Sequence, residues 1–234
     1  MAEEYDIVFI GAGHNGLVCA AYLSKAGLKT INIERRNVVG GGASTEELTL
    51  PGFKNVCHSN LHGWIHLGPV YKELEVAKYH KYIFPDPAFA LVFKDGRSLL
   101  FHTGKGIDPV ERTCKSIEQF SKKDARTYRE LYDLHQRFSE FTKVWLFSPP
   151  LSYSQQFALL EETELGREFL REQLTSGKVV VEDLFESDQV RAFLLSMQVQ
   201  VGVGVEQFGT GNFLPTMISM EHDPGWGLSV GGSV

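Results

Sequence analysis

Three glycines near the start of the chain have the spacing that suits the binding of a diphosphate. Gly11, Gly13 and Gly16 follow the apolar run Ile7–Ile10. Between a strand and a helix, such glycines allow a tight turn, a close approach of the backbone to a pyrophosphate, and packing of the helix on the sheet. The helix should begin near His14, so that the N–H groups of its first turn point at the diphosphate. This stretch therefore predicts a dinucleotide site.

An acidic residue follows the glycine turn at the distance expected for a ribose contact. Glu34 ends a second predicted strand, residues 29–34, after a first predicted strand at residues 5–10. A carboxylate roughly twenty residues beyond the turn can accept hydrogen bonds from the adenosine ribose, and it disfavours a 2′-phosphate. Glycines alone could form a loop between any strand and helix. The strand before them, the helix after them and Glu34 together favour the nucleotide site.

A second glycine cluster, Gly40 to Gly42, lies a few residues after Arg35 and Arg36. Successive glycines let the main chain pass close to a ligand or adopt positive φ, although a flexible turn would use them too. The first glycine turn, Glu34 and this second cluster resemble the flavin-dependent oxidoreductases that include phytoene desaturases and amine oxidases. Nicotinamide enzymes share the first turn but usually lack the second cluster. The resemblance therefore favours FAD over NAD.

The resemblance also implies which residues contact FAD and what the protein does with it. It implies a flavoenzyme that takes hydride from a substrate C–H bond. A non-catalytic nucleotide-binding subunit or regulator stays open as an alternative, as does an NAD-dependent dehydrogenase if the second glycine cluster proves remote from the nucleotide. The implied FAD contacts are Gly11, Gly13, His14, Asn15, Gly16, Glu34, Arg35, Arg36, Gly41, Gly42, Ala43 and Ser44.

Histidines are spaced by four residues in the segment 51–70, which in the family approaches the flavin ring. They are His58, His62 and His66, which would line one face of a helix, but Gly63 interrupts that helix. No acid or cysteine completes an obvious metal ligand set, so no metal site is predicted. We expect these histidines to form a polar wall near the cofactor. His58 and His62 are the nearest candidates for a catalytic base, with ordinary polar packing as the alternative.

Composition limits the class of protein. The 234 residues are 43% apolar, which is enough for a sizeable core, and the net charge is −6 with cations scattered along the chain. That distribution argues against a nucleic-acid surface. The three cysteines are far apart, so no disulfide framework is indicated and a reducing compartment fits best. No apolar run is long enough for a membrane span and the first residues are acidic, so a cytoplasmic location is predicted.

Local signals after residue 80 predict a hairpin and then a helical region. Asp95-Gly96 between two apolar runs indicates a β-hairpin. Asp108 followed by Pro109 indicates a helix start, with the carboxylate as N-cap. Further helices are predicted over residues 121–145, 151–162, 166–176 and 188–200, with residues 177–181 as a short extended link.

The helical region carries an aromatic, weakly charged stretch from residue 128 to 160. Aromatic side chains at helical spacing usually form ordinary core, but they could also line a pocket. This composition favours an apolar or amphipathic substrate. Residues 180–193 resemble the family's pattern of an acidic turn leading into an arginine-containing helix of the cap over the active site.

Residues 225–234 resemble a glycine-rich turn that lies near the middle of phytoene-dehydrogenase-like proteins, so the chain corresponds to the N-terminal half of that family. The expected fold is α/β, with a Rossmann-like FAD-binding domain, a β-hairpin and a largely helical cap. The expected domains are residues 1–75 for FAD, 76–215 for the substrate and 216–234 as a return to the FAD domain. Only two parallel strands are predicted before the cap, so the sheet is incomplete. We therefore expect a second chain or a further segment to complete the FAD domain.

Overall fold

A computed structural model describes residues 3–104, 106–137, 142, 145–223 and 225–233. The chain divides into two compact units, Met1–Ile83 with Trp226–Val234, and Phe84–Gly225. The strands are β1 (Ile7–Ile10), β2 (Thr30–Ile33), β3 (Thr45–Glu46), β4 (Asn55–Val56), β5 (Tyr82–Ile83), β6 (Phe89–Val92), β7 (Ser98–Phe101) and β8 (Leu228–Ser229). The α-helices are α1 (His14–Lys25), α2 (Pro69–Glu73), α3 (Pro109–Glu118), α4 (Lys122–Gln136), α5 (Tyr153–Glu161), α6 (Glu164–Gln173), α7 (Gly177–Leu184), α8 (Asp188–Gln200) and α9 (Phe213–Glu221).

The first unit is built on the expected strand–turn–helix–strand arrangement. Strands β1 and β2 are parallel, with Ile7 opposite Thr30 and Ile10 opposite Ile33, and α1 connects them. In the part of the chain that the structure describes, this sheet has two strands. Its aliphatic side is open, because Ile10 is 97% exposed and Val8 and Ile33 are more than half exposed.

The remaining strands of the first unit form two short antiparallel pairs. Strand β3 pairs with β4, and β5 pairs with β8 through Ile83 opposite Leu228. The last residues of the chain therefore contribute a strand to the same unit as the first ones. This return places residues near both ends of the sequence in one compact body.

The second unit begins with the predicted hairpin. Strands β6 and β7 are antiparallel, with Phe89 opposite Phe101, and Gly96 adopts the positive φ that the turn requires. One face of β7 is fully buried through Leu99 and Phe101. The alternation of buried and partly buried residues along β7 is the pattern of a strand with one face on the core.

Side-chain N-caps begin the first two of the helices that follow, and the sequence predicted the one at Asp108. The Asp108 carboxylate accepts hydrogen bonds from the N–H groups of Val110 and Glu111, at 2.9 and 3.3 Å, and Pro109 occupies the first helical position. Helix α4 is capped by Ser121 and ends at Gln136, nearer its start than the predicted end at residue 145. Phe138 and Phe141, which we expected on this helix, lie outside the described residues.

Residues 177–181 are not an extended link, as the sequence led us to expect, but the first turns of helix α7. The Ser176 hydroxyl accepts a hydrogen bond from the N–H of Val179, at 3.3 Å, which caps the helix. Val180 and Val181 are buried on its inner face. The cap and this burial outweigh the preference of consecutive valines for extended structure.

A buried polar cluster links α4 and α9 to the hairpin in the second unit. The Nδ1 atom of His222 lies 2.6 Å from the carbonyl oxygen of His102, so this nitrogen carries the proton and donates. The other ring nitrogen, Nε2, is then the acceptor for the Tyr128 hydroxyl at 2.8 Å. Burial is the main cause that lowers the pKa of His222, to about 4. The imidazole is therefore neutral at pH 7.

Candidate dinucleotide site

The first glycine turn leaves room for a ligand at the start of α1. Gly11 has φ +100° and its N–H donates to the carbonyl oxygen of Ile33, at 2.7 Å. Gly13 is the N-cap of α1, and a Cβ at Gly13 would meet no atom within 4 Å. The backbone at this turn is therefore open on the side where a side chain would otherwise stand. Such an opening fits a diphosphate that approaches the main chain closely.

The third glycine and a side chain of β2 hold the turn against the sheet. A Cβ at Gly16 would lie 3.7 Å from the carbonyl oxygen of Gly11, which is ordinary contact distance. The Asn32 side-chain amide donates to that same oxygen at 3.2 Å. Asn32 was not among the predicted site residues, because nothing in the spacing of β2 shows that this side chain faces the turn.

Glu34 lies beside the first turn, as its position after β2 predicts. One carboxylate oxygen accepts the N–H of Ala12 at 2.8 Å, and the other accepts the N–H of Arg36 at 3.0 Å. These backbone hydrogen bonds lower the pKa of the Glu34 carboxyl, so it is ionised at pH 7. A carboxylate offers about four acceptor positions. It therefore retains capacity for the hydroxyls of a ribose.

The second glycine cluster packs directly on the first turn. The N–H of Gly40 donates to the carbonyl oxygen of Ala12 at 2.7 Å, and Gly40 forms a parallel bridge with Gly13. Gly41 has φ +59°, and a Cβ there would lie 3.1 Å from the Cα of Gly13. The two clusters form one surface. A remote second cluster would have favoured a nicotinamide enzyme, and that condition is not met.

The residues around the second cluster converge on Glu46, which was not among the predicted site residues. The Arg36 guanidinium lies 2.5 Å from one Glu46 oxygen. The Ser44 hydroxyl donates to the other at 2.7 Å, and the Cys57 thiol lies 3.4 Å from it. Arg36 and Ser44, two of the expected FAD contacts, are thus tied to a carboxylate within this unit. Of the other expected contacts, His14 and Asn15 are exposed on the first turn of α1.

The histidines do not share a helical face, because the only helical structure between residues 58 and 66 is part of the short 3₁₀ turn Ile65–Leu67. The backbone of His62 exchanges two hydrogen bonds with Gly227, at 2.9 and 3.0 Å. Its Nδ1 lies 2.7 Å from the Tyr82 hydroxyl. Burial, and then the nearby His80, lower the pKa of His62. Within the described ranges, no group of three histidine, cysteine or acidic residues is placed to hold a metal ion.

The returning C-terminal segment links the surroundings of His62 to the glycine clusters. The Ser229 hydroxyl lies 3.0 Å from Nε2 of His80 and 3.5 Å from Nδ1 of His62. Four residues later, the N–H of Ser233 donates to the Thr45 hydroxyl at 2.9 Å. Thr45 directly follows Ser44, so one short segment contacts both parts of this unit. No local pattern indicates these pairings, because the partners lie more than 140 residues apart in the chain.

The family of NAD(P)-binding Rossmann-like domains matches residues 10–74. The match agrees with the β1–α1–β2 arrangement, which is the beginning of a Rossmann-like fold. The chain is also 32% identical to a subunit of the limonene dehydrogenase of Castellaniella defragrans over 216 residues, which cover 91% of this chain and 38% of that protein. It is 42% identical over 151 residues to pyridine nucleotide-disulfide oxidoreductase domain-containing protein 2 of Rattus norvegicus, covering 61% of this chain and 24% of that protein.

A solved structure shares the fold over nearly the whole chain. Putrescine oxidase bound to putrescine matches with a TM-score of 0.54 at 17% identity, over 97% of this chain and 46% of the oxidase. The expected α/β fold, with a Rossmann-like domain joined to a hairpin and a helical region, is confirmed. The curated relatives are named as oxidoreductases, in agreement with the resemblance given by the sequence.

The chain spans less than half the length of these relatives: the matches cover 38% and 24% of the two curated proteins. None of the helices in the described ranges is both long and apolar enough to cross a membrane.

Proposed function

We propose that this chain is the FAD-binding part of a flavin-dependent oxidoreductase, a dehydrogenase, desaturase or oxidase. The observation that carries the proposal is the contact between the two glycine clusters through Gly40 and Ala12, with Glu34 bonded to the same turn. That arrangement offers an open backbone for a diphosphate and an ionised acid for a ribose. FAD supplies, when bound, the acceptor for a hydride leaving a substrate C–H bond.

The residues of the two clusters divide the work of holding the dinucleotide. Gly11, Gly13 and Gly16, with the first turn of α1 at His14 and Asn15, would hold the diphosphate. Glu34 would bind the hydroxyls of the adenosine ribose, with Arg35 and Arg36 beside it on the adenosine side. The segment Gly41, Gly42, Ala43 and Ser44 would run along the cofactor toward its ring. In this proposal residues 1–75 bind the nucleotide, residues 76–215 form the substrate side, and residues 216–234 return to the nucleotide domain.

Between the two histidine candidates for a catalytic base, the geometry favours His62 over His58. Its backbone is fixed by Gly227 and its ring is oriented by the Tyr82 hydroxyl. Its lowered pKa keeps the imidazole neutral at pH 7, the form that can accept a proton. Ordinary polar packing of His62 is the alternative. Formation of an alkene would transfer a hydride to the flavin and release a proton from the neighbouring carbon, which His62 could accept, whereas an amine that becomes an iminium ion loses only the hydride.

An apolar or amphipathic substrate is supported by the aromatic stretch between residues 128 and 160, in which Tyr128 is fully buried and Tyr153 is 79% exposed. The relatives differ on this point, because one is named for limonene, an apolar hydrocarbon, and another is a putrescine oxidase. The cysteines Cys19, Cys57 and Cys114 are all free thiols, which supports a reducing compartment such as the cytoplasm.

A second polypeptide or a further segment would complete the nucleotide sheet. The open aliphatic side chains Val8, Ile10 and Ile33 on the two-stranded sheet support this, because such surface is usually covered. A relative named as a subunit is consistent with a partner chain.

The decisive experiment is native mass spectrometry of the protein purified gently from its own source. A mass equal to this chain, a second polypeptide and FAD supports the split flavoenzyme, and reduction of the bound flavin by an apolar alcohol or alkene precursor then tests the substrate class. Bound flavin that no substrate reduces would support the non-catalytic nucleotide-binding subunit. A chain isolated without any flavin would contradict the proposed function.

A further inference from the structure

Glu46 lies at the centre of a cluster next to the ribose side of the nucleotide site. Its carboxylate bonds the Arg36 guanidinium at 2.5 Å and the Ser44 hydroxyl at 2.7 Å. Only 17% of the Glu46 side chain is exposed, whereas 47% of Arg36 is exposed. Ser44 is buried. Glu46 is therefore the fixed partner of the pair, and Arg36 is the long side chain that it holds.

The position of Arg36 close to Glu34 means that this restraint can affect which dinucleotide binds. Arg36 follows Glu34 by two residues, and its N–H donates to the Glu34 carboxylate at 3.0 Å. In dinucleotide-binding folds an arginine close to the ribose acid is the group that accommodates a 2′-phosphate. A guanidinium is suited to that contact because its fork of donors matches phosphate oxygens. Without Glu46, Arg36 would be free to play this part.

We propose that Glu46 is a specificity-determining residue that holds the Arg36 guanidinium away from the ribose 2′ position and so excludes 2′-phosphorylated dinucleotides. This inference rests on the proposed function, since it assumes a dinucleotide at the glycine turn. It assigns the adenosine end of the ligand to a nucleotide with a free 2′-hydroxyl. Glu34 repels a 2′-phosphate directly, and Glu46 removes the cation that would compensate for that repulsion.

The surroundings of Glu46 keep this restraint in place at neutral pH. The Ser44 hydroxyl is the largest cause of a lowered pKa of the Glu46 carboxyl, and the Cys57 thiol and Arg36 act in the same direction. The carboxylate is therefore charged wherever the protein functions near pH 7. Ser44, one of the expected cofactor contacts, acts in this proposal through Glu46 as a positioning residue.

Binding of two small nucleotides tests the proposal without requiring the flavin ring. Isothermal titration calorimetry on the complete protein containing this chain would measure the dissociation constants of ADP and of 2′,5′-ADP. In the wild type ADP should bind more tightly. Glu46→Gln should reduce the ratio of the 2′,5′-ADP dissociation constant to the ADP dissociation constant by about fivefold. This is the effect of one solvent-exposed ion pair, here between the released Arg36 and the 2′-phosphate. Glu47→Gln is the matched control, because Glu47 is the exposed neighbouring acid and loses the same charge.

Variants of Arg36 separate this role from a purely structural one. Arg36→Gln should leave the ratio of the two affinities unchanged while Glu46 is present, and Glu46→Gln should have no effect on the ratio in the Arg36→Gln background. Thermal unfolding of each variant monitors the fold. A loss of 2′,5′-ADP affinity in Arg36→Gln alone would overturn the proposal, and this arm does not depend on the folding of a Glu46 variant.

The outcomes also distinguish this inference from the function on which it rests. One outcome is that the wild type binds FAD and ADP, but the ratio of the ADP and 2′,5′-ADP dissociation constants is the same in Glu46→Gln as in the wild type. The specificity role of Glu46 is then wrong, and the nucleotide site stands. If the wild type binds neither FAD nor ADP, the proposed function is wrong and the specificity role falls with it.

Discussion

At the scale of single residues, the absence of a side chain at Gly13 is what makes the proposed diphosphate site possible. Gly13 has φ −74°, which any residue can adopt, and a Cβ there would point into open space. Glycine is therefore not required at this position by backbone strain or by packing within the chain. A ligand that must approach the backbone gives a physical reason for it.

Gly13→Val should weaken FAD binding strongly and leave the fold intact. The added methyl groups would occupy the space of the diphosphate, and we expect the dissociation constant to rise roughly tenfold or more. Fluorescence titration of FAD measures this, with Ala21→Val, an exposed position on the same helix, as the control. Undiminished FAD binding would refute the assignment of the nucleotide to this turn.

Glu34→Ala should weaken FAD binding by about tenfold, since hydrogen bonds from the ribose to a charged acceptor would be lost. The fold should persist because the carboxylate that is removed is only partly buried, and thermal unfolding would measure the cost of leaving the N–H of the buried Ala12 without its acceptor. The measurement is again fluorescence titration, with Glu4→Ala as an exposed acidic control. Full affinity in Glu34→Ala would mean that another group holds the ribose.

At the scale of helices and strands, the local signals in the sequence were sufficient where they did not depend on distant partners. The Asp95-Gly96 turn and the Asp108 cap act within a few residues, and both were predicted. Helix α7 was not, because its valines favour strand and the burial that overrides them comes from packing on distant residues. Glu46 was missed for the same reason, since its role depends on Arg36 and Cys57 meeting in space.

Gly177→Ala should destabilise the second unit by about 1–3 kcal/mol, the usual cost of overpacking a core. A Cβ at Gly177 would lie 2.0 Å from the side-chain oxygen of Gln198, which is fully buried. Urea unfolding measures the effect. Gly42→Ala is the control because a Cβ there meets no atom within 4 Å. Equal stability of the two variants would contradict the close packing of α7 on α8.

The buried imidazole of His222 should make stability depend on pH. Its folded pKa of about 4 lies below its ordinary value of 6.5, so the unfolded chain binds the proton more readily between these values. The free energy of unfolding is therefore highest above pH 6.5. It decreases as the pH falls from 6.5 through 4, by about 3 kcal/mol in all. Urea unfolding at several pH values would measure this loss, and it should be absent in His222→Gln. Parallel pH profiles for the two proteins would argue against a neutral buried His222.

At the scale of the whole molecule, the exposed aliphatic residues of β1 and β2 should make the isolated chain prone to association. Ile10→Ser should reduce light scattering by the chain expressed alone, because it removes the side chain of a residue that is 97% exposed. Val92→Ser, at an exposed position on the hairpin, is the control. Equal scattering by the two variants would argue that another surface causes association.

The pairing of β5 with β8 has a consequence for how such a protein can change over evolutionary time. Ile83 and Leu228 are neighbours across this pair, and all of residues 84–225 are threaded between them. The second unit is thus an insertion between two paired strands of the first unit, which lie about one strand spacing apart, roughly 5 Å. An inserted unit whose ends lie close together can be lengthened, shortened or exchanged without a change in the path of the chain through the first unit. Under the proposed function, such an exchange would alter the substrate side and keep the unit that binds the nucleotide.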